Sequence, residues 1–571
     1  MYLAELAIEN FRKLRSLTLR LQPGLNIIVG PNNVGKTAVI DSLRALLSGS
    51  DDYPLRLTVD DLHQGGTDGN ATIVFRYVFR DLNLDDEADF LPALSPGYDG
   101  AMEAHISARY SDPDGTGRLR MKRWCGEHED IGLTSEMLEN LRTVYLPPLR
   151  DASQGLRPSR ASQLARLMQL LADPDGRQAI DAELLDFDSR LKTHAPILRT
   201  QEAIALRHRH MLGEHLAQRL SVGLTASDFQ RLSARLSLSV NALQIEQNGL
   251  GFNNLIYMAV VLSALSKSSD AAHRSLIIEE PEAHIHPQLQ AVLLRYLEEI
   301  HRPSPTESPI QVFVTSHSPN FASIARLDCL TCLVETSSGI SSFFPRDTRF
   351  DKGKREKLER YLDATRAELF FSSRIIFVEG TSELILLSIL AERVGYDLRQ
   401  LSVSIICVDG LNFDCFVPLF GENGIPIPVA IITDADPPEP SQDAGDLADD
   451  MVSQNTAKMK GLQDRYVRVF HGKKTFEYDL ALCKPNRQAM LAALRDLHPR
   501  LARQLERDVD SAVGEVEKAS VLFQGMFGRK RANVQKGAFG QALAEVLSDQ
   551  TIEFEVPSYV QDAIEHACAE D

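Results

Sequence analysis

Ile375-Ile376-Phe377-Val378-Glu379-Gly380-Thr381-Ser382-Glu383 is a short apolar run that stops on a carboxylate and a glycine, with a second carboxylate one turn later. Four apolar residues are too few for a helix and suit a buried strand. The spacing of four places Glu379 and Glu383 on the same side of the turn that follows. Val429-Ala430-Ile431-Ile432 is a run of the same kind and leads to Asp434-Ala435-Asp436. Ser404-Ile405-Ile406-Cys407-Val408 leads to Asp409-Gly410. In parallel α/β sheets, functional groups collect beyond the carboxyl ends of the strands. Four carboxylates gathered there repel one another unless divalent cations neutralise them. Oxygen ligands suit Mg²⁺ or Mn²⁺, and such a cluster is what metal-assisted phosphodiester cleavage needs.

A second chemistry lies upstream. Leu3 and Ala7, then Leu17, Leu19 and Leu21, alternate as in half-buried strands. The strand Leu25–Val29 runs into Gly30-Pro31-Asn32-Asn33-Val34-Gly35-Lys36-Thr37, a complete phosphate-binding loop followed by a helix expected over Thr37–Leu47. Gly30, Asn32, Asn33 and Gly35 offer backbone N–H groups that curl around phosphates. Lys36 neutralises the β- and γ-phosphates, and Thr37 is a ligand for Mg²⁺. Ala71–Val78 and Thr143–Leu146 read as further strands, and Gln64 as a polar loop residue.

From Ser159 to about Arg235 the pattern is helical, with Leu164, Leu167, Leu170 and Leu171, then Ile197, Ile204 and Met211. This insert is expected to serve dimerisation, or else to be an ordinary helical subdomain. Strand character returns with Leu236, Leu238 and Val240. Gln247–Asn254, with Gly249 and Gly251, predicts a turn ahead of a helix from Leu255, suited to a nucleotide phosphate. Ser275-Leu276-Ile277-Ile278-Glu279-Glu280 is an apolar strand ending in two acids. Glu279 would hold the Mg²⁺ shell and Glu280 would orient and activate water. Val312–Thr315 ends two residues before His317, placed to sense the γ-phosphate. His284 and His286 read as loop geometry rather than a metal pair.

The composition is that of a globular chain of two to four domains, with 571 residues, 43% hydrophobic and 25% charged. The longest largely apolar run, Leu255–Leu265, is short of the roughly 20 residues that span a bilayer, and residues 1–20 hold no signal-peptide core. A cytoplasmic location is expected, in keeping with seven scattered cysteines. Cys329 and Cys332 form a lone pair of buried thiols rather than a zinc site. A net charge of −18 gives no basic footprint overall. Arg529, Lys530, Arg531 and Lys536 form one basic run, and Lys352, Lys354, Arg355 and Lys357 another, read as a solvated face.

The order of phosphate loop, glycine-rich turn, acidic strand end and switch histidine resembles an ABC-type ATPase head of the structural-maintenance and RecF-like group. Glu279-Glu280-Pro281-Glu282-Ala283-His284-Ile285-His286-Pro287 resembles the overcoming-lysogenization-defect (OLD) branch. Glu379-Gly380, Asp409-Gly410 and Asp434-x-Asp436 resemble the Toprim motifs of topoisomerases, primases and OLD nucleases. The chain is similar to the Gabija-type, class 2 members. The resemblance implies an α/β protein with an ABC-type head split into 1–155 and 236–345 around the insert 156–235. A Toprim domain with helical C-terminal elements would follow over 346–571.

It further implies a two-ion nuclease acting on DNA and built from Glu379, Glu383, Asp434, Asp436 and Glu477, with Lys536 stabilising charge on the phosphorane or the leaving oxygen. One ion would lie among Glu383, Asp434 and Asp436, the other among Glu379, Asp434 and Glu477. The division between ions is open, and Glu379 is alternatively a general base. ATP with Mg²⁺ in the head, a homodimer or higher oligomer, a helicase-like partner and a role in phage defence belong to the same implication. The rival is a RecF-like DNA-loading protein with an inactive Toprim scaffold. A topoisomerase would need a tyrosine domain, which nothing here resembles.

Overall fold

Ile73, Phe75, Tyr77 and Phe79 point inward along one strand while Arg76 and Arg80 point out, the period of two expected of a sheet with one wet face. In the computed structural model, Ile73–Arg80 lies in a six-stranded antiparallel sheet ordered Leu14–Arg20, Tyr2–Phe11, Ile73–Arg80, Met102–Ser111, Leu94–Pro96, with Arg120–Cys125 also paired to Met102–Ser111. The structure describes residues 1–47, 55–63, 72–98, 100–148, 153–159, 162–223, 228–240, 243–267, 271–283, 285–302, 308–437, 452–528 and 534–569. Gln64, His284, Arg529, Lys530 and Arg531 lie outside them.

The second sheet runs Gly339–Phe343, Leu330–Thr336, Leu25–Val29, Gln311–Thr315, His273–Glu279, Leu141–Leu146. All its neighbours are parallel except the edge hairpin 330–343. Its three central strands are buried throughout, which explains their unbroken apolar runs. The register sets Glu279 beside Thr315 and Thr315 beside Ile28. The phosphate loop, the acidic pair and the segment leading to His317 therefore leave the sheet at one end.

His273 opens one of these strands and is 1% exposed, with neither ring nitrogen hydrogen-bonded. Burial, helped by the N-terminal amine, pushes its pKa down to about 3. A histidine depressed in the fold contributes stability that is complete above its unfolded pKa near 6.5 and is lost as pH falls towards 3. The slope is about 1.4 kcal/mol per pH unit. His273→Phe keeps an aromatic ring against Phe79. It is expected to flatten the fall of melting temperature between pH 6.5 and 4.5. Parallel melting curves for the two proteins would refute this account.

The insert is helical, with Gln163–Leu171, Pro174–Lys192, Ala195–Leu212 and Phe229–Ser233. The two long helices of the hairpin contain no buried residue. Two expectations are corrected. The strand over Leu236–Val240 shrinks to Ser239–Val240, paired with Leu243–Gln244, because the Leu236 N–H is taken by Ser233 O in the turn closing the preceding helix. The helix expected from Leu255 begins at Leu250. Buried Asn253 donates to Ile245 O and accepts from Asn248, fastening that first turn.

The third sheet is fully parallel, ordered Val403–Cys407, Arg374–Val378, Val429–Thr433, Val467–His471. One face, with Ile376, Val378, Ala430 and Ile432, packs on the helices Thr381–Arg393, Lys536–Leu547 and Ser558–Cys568. The other, with Ile375, Phe377, Val429 and Ile431, belongs to a core that also holds Val312 and Val314 of the second sheet, and Phe370. Helices Asn486–Leu497, Pro499–Ser511 and Glu515–Phe527 complete the C-terminal region. In the basic run before Tyr361, Lys352 is exposed as expected but the other three residues are paired. Lys354 and Lys357 pair with Asp414, and Arg355 with Asp328, so the helix Lys354–Tyr361 is fastened on two sides. All seven cysteines are free, with Cys329 and Cys332 buried.

Candidate active site

Strand Leu25–Val29 delivers the phosphate loop, and Lys36 begins the helix Lys36–Leu46. Gly30, Asn33 and Gly35 all have positive φ, at 149°, 64° and 95°. A Cβ on Gly30 would sit 2.5 Å from Leu333 O, so this turn needs glycine for space as well as for conformation. The Lys36 side chain is buried and donates to Gly30 O at 2.6 Å and Pro31 O at 2.7 Å. Burial pushes its pKa down to about 8, against Glu280 and Glu282, which raise it. Asn32, Asn33 and Thr37 are exposed at the mouth of the loop.

Glu279 is buried, accepts from the Tyr145 hydroxyl at 2.9 Å, and is raised by burial. Glu280 sits at φ 48° with its carboxylate 3.4 Å from His317 Nε2. Burial and the Lys36 charge lower the His317 pKa. Glu282 ties this corner together, accepting from Ser316 Oγ at 2.8 Å and His317 N–H at 2.9 Å. The sequence reading gave Glu282 no role. Gly249 caps the helix Leu250–Ser266 and Gly251 lies within its first turn. His286 caps the helix Pro287–Glu299 by accepting from Gln288 N–H, as loop geometry requires.

The second constellation crowns the parallel sheet. Glu379 follows Val378, and Gly380 caps the helix that carries Glu383. Asp434 follows Thr433. Oxygen atoms of Glu379, Asp434 and Asp436 lie within 4.8 Å of one another. Glu379 accepts from Thr433 Oγ1 and Asp434 N–H, each at 3.3 Å. Asp434 accepts from Phe476 N–H at 2.9 Å, at the start of the helix Phe476–Leu482. Asp436 stands at φ 42°, its N–H bonded to Lys474 O.

Burial and mutual repulsion raise these carboxyls. Asp434 is held well above its ordinary value by burial and then by Glu379. Glu379 and Asp436 are raised by burial. Glu383 is pushed up to about 7 by burial and by Glu477. The trio assembled here differs from both ligand sets expected above. Glu383 is turned towards Gly380, where a Cβ would meet its Oε2 at 3.0 Å, and Glu477 is engaged by Lys536.

Glu477 is 1% exposed and pairs through Oε2 with Lys536 Nζ at 2.7 Å, while its Oε1 has no hydrogen-bond partner. Burial opposes the Lys536 charge, but Glu477, Asp434 and Glu383 outweigh it and raise its pKa. Ser382 Oγ donates to Lys536 O, and Gly540 lets the two helices cross closely, with a Cβ there reaching Ser382 Cα at 3.1 Å. Three converging oxygens, the free Oε1 of buried Glu477 and raised pKa values among the trio form a donor set that fits hard divalent cations. Asp479, also missed from the sequence, is pushed up to about 7 by burial beside Glu477. Its signal was the glycine at 472, where a Cβ would fall 1.8 Å from its Oδ2.

Lys536→Met should leave Glu477 buried without a cation and lower any phosphodiester cleavage by about 10²-fold. Substrate affinity would change far less. Rates within threefold of wild type would remove Lys536 from the site.

Residues 1–104 and 148–322 match the model of an AAA ATPase domain, and residues 370–436 that of an overcoming lysogenization defect protein-like Toprim domain. The chain is 25% identical over 405 residues to the OLD nuclease of Thermus scotoductus, covering 66% of this chain and 71% of that protein. It is 19% identical over 440 residues to the endonuclease GajA of Bacillus cereus strain VD045, covering 74% of each. The C-terminal region of the Burkholderia pseudomallei OLD protein matches at 23% identity and a TM-score of 0.26, over 35% of this chain and 98% of that structure. The two domains bring with them, in general, the use of ATP and of a divalent metal. No helix among the described residues is long and apolar enough to cross a membrane. The chain thus joins an AAA ATPase domain to an overcoming-lysogenization-defect-like Toprim domain, and it is similar to nucleases of that kind.

Proposed function

We propose that this protein is an ATP-binding, metal-dependent DNA endonuclease whose Toprim domain, within 346–571, cleaves phosphodiester bonds. The observation that carries the reading is the convergence of Glu379, Asp434 and Asp436 at the carboxyl ends of adjacent parallel strands, with Lys536 and Glu477 behind them. Mg²⁺ or Mn²⁺ bound there activates water and neutralises phosphate charge. Glu379, Asp434 and Asp436 hold the cation, and Glu383 and Glu477 complete a two-ion set. Lys536 supplies a positive charge for the phosphorane. In the head, Lys36, Thr37 and Glu279 hold ATP with Mg²⁺, Glu280 orients water and His317 reads the γ-phosphate. The head's nucleotide state gates the nuclease. Phage defence in the cytoplasm, alongside a helicase-like partner, fits this reading.

A homodimer completes it. Helices of 19 and 18 residues with no buried side chain lack the packing that stabilises most helices. Leu185, Phe187, Leu198 and Ile204 are at least two-fifths exposed, an apolar surface suited to a second copy of the chain. Leu198→Lys with Ile204→Lys should halve the mass measured by light scattering. An unchanged mass would put the dimer contact elsewhere.

The decisive experiment incubates supercoiled plasmid with the purified protein and Mg²⁺ or Mn²⁺, with and without ATP. Nicked and linear products support the nuclease. ATP-dependent DNA binding without cleavage would favour DNA loading, a reading to which the 27% identity with the RecF protein of Mesorhizobium japonicum lends some weight. That match covers only 32% of this chain and 42% of RecF.

A further inference from the structure

We infer that Arg366 is a positioning residue for Glu379, a role that rests on the nuclease reading above. Arg366 opens the short 3₁₀ turn Arg366–Phe370, which joins the ATPase side to the Toprim strand Arg374–Val378. Its guanidinium spends its donors on two segments, 361–363 and 407–409. Nε donates to Cys407 O at 2.9 Å. Nη1 donates to Tyr361 O at 3.2 Å and to Asp363 Oδ2 at 2.6 Å. Nη2 pairs with the Asp409 carboxylate. The side chain is only 15% exposed. A planar fork with five N–H donors can serve all of these acceptors at once, and an ammonium group cannot.

The grip falls on the loop that carries Glu379's backbone. Asp409 and Gly410 both take left-handed conformations, with φ at 55° and 83°. Gly410 N–H donates to Glu379 O at 2.8 Å, and Val408 N–H to Val378 O at 3.0 Å. Cys407 Sγ lies 3.7 Å from the same Glu379 oxygen. A left-handed aspartate is strained, and the ion pair with Arg366 holds it there. If the pair is released, Gly410 can swing away and Glu379 loses the bond that fixes its main chain.

The other side of the grip is anchored in the head. Ala367, Leu369 and Phe370 are at most 3% exposed and share a core with Phe321 and Ala322. Those two residues belong to the helix Pro319–Ile324, which starts two residues after His317 and packs on the 366–370 turn. The position of Glu379 is thereby referred to the element that follows the nucleotide-sensing histidine.

The test uses the full-length protein with Arg366→Lys and Arg366→Ala. Mn²⁺ binding is followed by calorimetry, with Glu379→Ala as the blank for this site. A residue that orients a ligand is worth about 10- to 100-fold in metal affinity. Arg366→Lys should therefore weaken Mn²⁺ binding about tenfold or more and lower kcat for plasmid cleavage by a similar factor. KM for DNA and the ATPase rate should stay within about twofold of wild type. Mn²⁺ affinity unchanged in both variants would overturn the role. So would a loss of ATPase and of melting temperature in step with it, since that is the signature of a merely structural residue. If the wild type does not cleave DNA, the nuclease reading fails separately, and the Mn²⁺ titration still decides for or against Arg366.

Discussion

Asp434→Ala should lower plasmid cleavage by on the order of 10³-fold or more, with ATP hydrolysis in the head kept. Asp434 belongs to the trio of converging oxygens, and its own carboxylate is aimed by Phe476 N–H. Glu379 keeps its bond to residue 434 in the variant, because that donor is the backbone N–H. The loss would therefore report the missing ligand and not a collapsed neighbour. Stability should move the other way. A carboxyl whose pKa is raised in the fold contributes stability that is present below its unfolded pKa and is lost as pH rises through the folded value. Ionised Asp434 opposes folding at neutral pH, so the metal-free variant should melt at or above the wild-type temperature. Mg²⁺ should raise the melting point of the wild type more than that of the variant, because ligand binding stabilises only a fold that binds it. Cleavage within tenfold of wild type, or a variant that melts well below it, would remove Asp434 from the proposed centre.

Glu280→Gln should slow ATP hydrolysis by about 10²- to 10³-fold and leave ATP bound. Glutamine keeps the shape and the contact to His317 but cannot take a proton from water. Glu280 also supports the Lys36 charge against burial, which has already brought that lysine down to about 8. Removing Glu280 lowers it further. In the free protein the Lys36 charge is present below this pKa and lost above it. ATP affinity should therefore decline at a lower pH in the variant than in wild type. Trapping of radiolabelled ATP across pH 6.5–9 measures both effects. Wild-type turnover in the variant would mean that another group activates the water.

Strands such as Leu25–Val29, His273–Glu279 and Arg374–Val378 were legible because each was a short buried run. Parallel sheets buried on both faces force that pattern. The acids at strand ends were legible for the same reason, since a strand delivers its next residue to a fixed edge. Other features depended on distant partners. Leu236–Val240 had strand alternation, but the turn after the preceding helix captured its first N–H. Lys354 and Arg355 looked solvated because Asp414 and Asp328 are far off in sequence. The engagement of Glu477 by Lys536 depends on how the helix Lys536–Leu547 crosses Thr381–Arg393. No local spacing encodes that crossing.

Asn33, Glu280, Asp409 and Asp436, four of the nine non-glycine residues with positive φ among those described, stand at the two sites. The buried Toprim carboxyls resist ionisation as well. What makes the chain reactive also makes it less stable than it could be. Glycine at 280 or 436 would relieve on the order of 1 kcal/mol of backbone strain each and silence the chemistry. A laboratory selection that rewards only heat resistance or soluble yield would therefore enrich for inert variants. Breeding a hardier form of this protein calls for a screen in which survival depends on turnover.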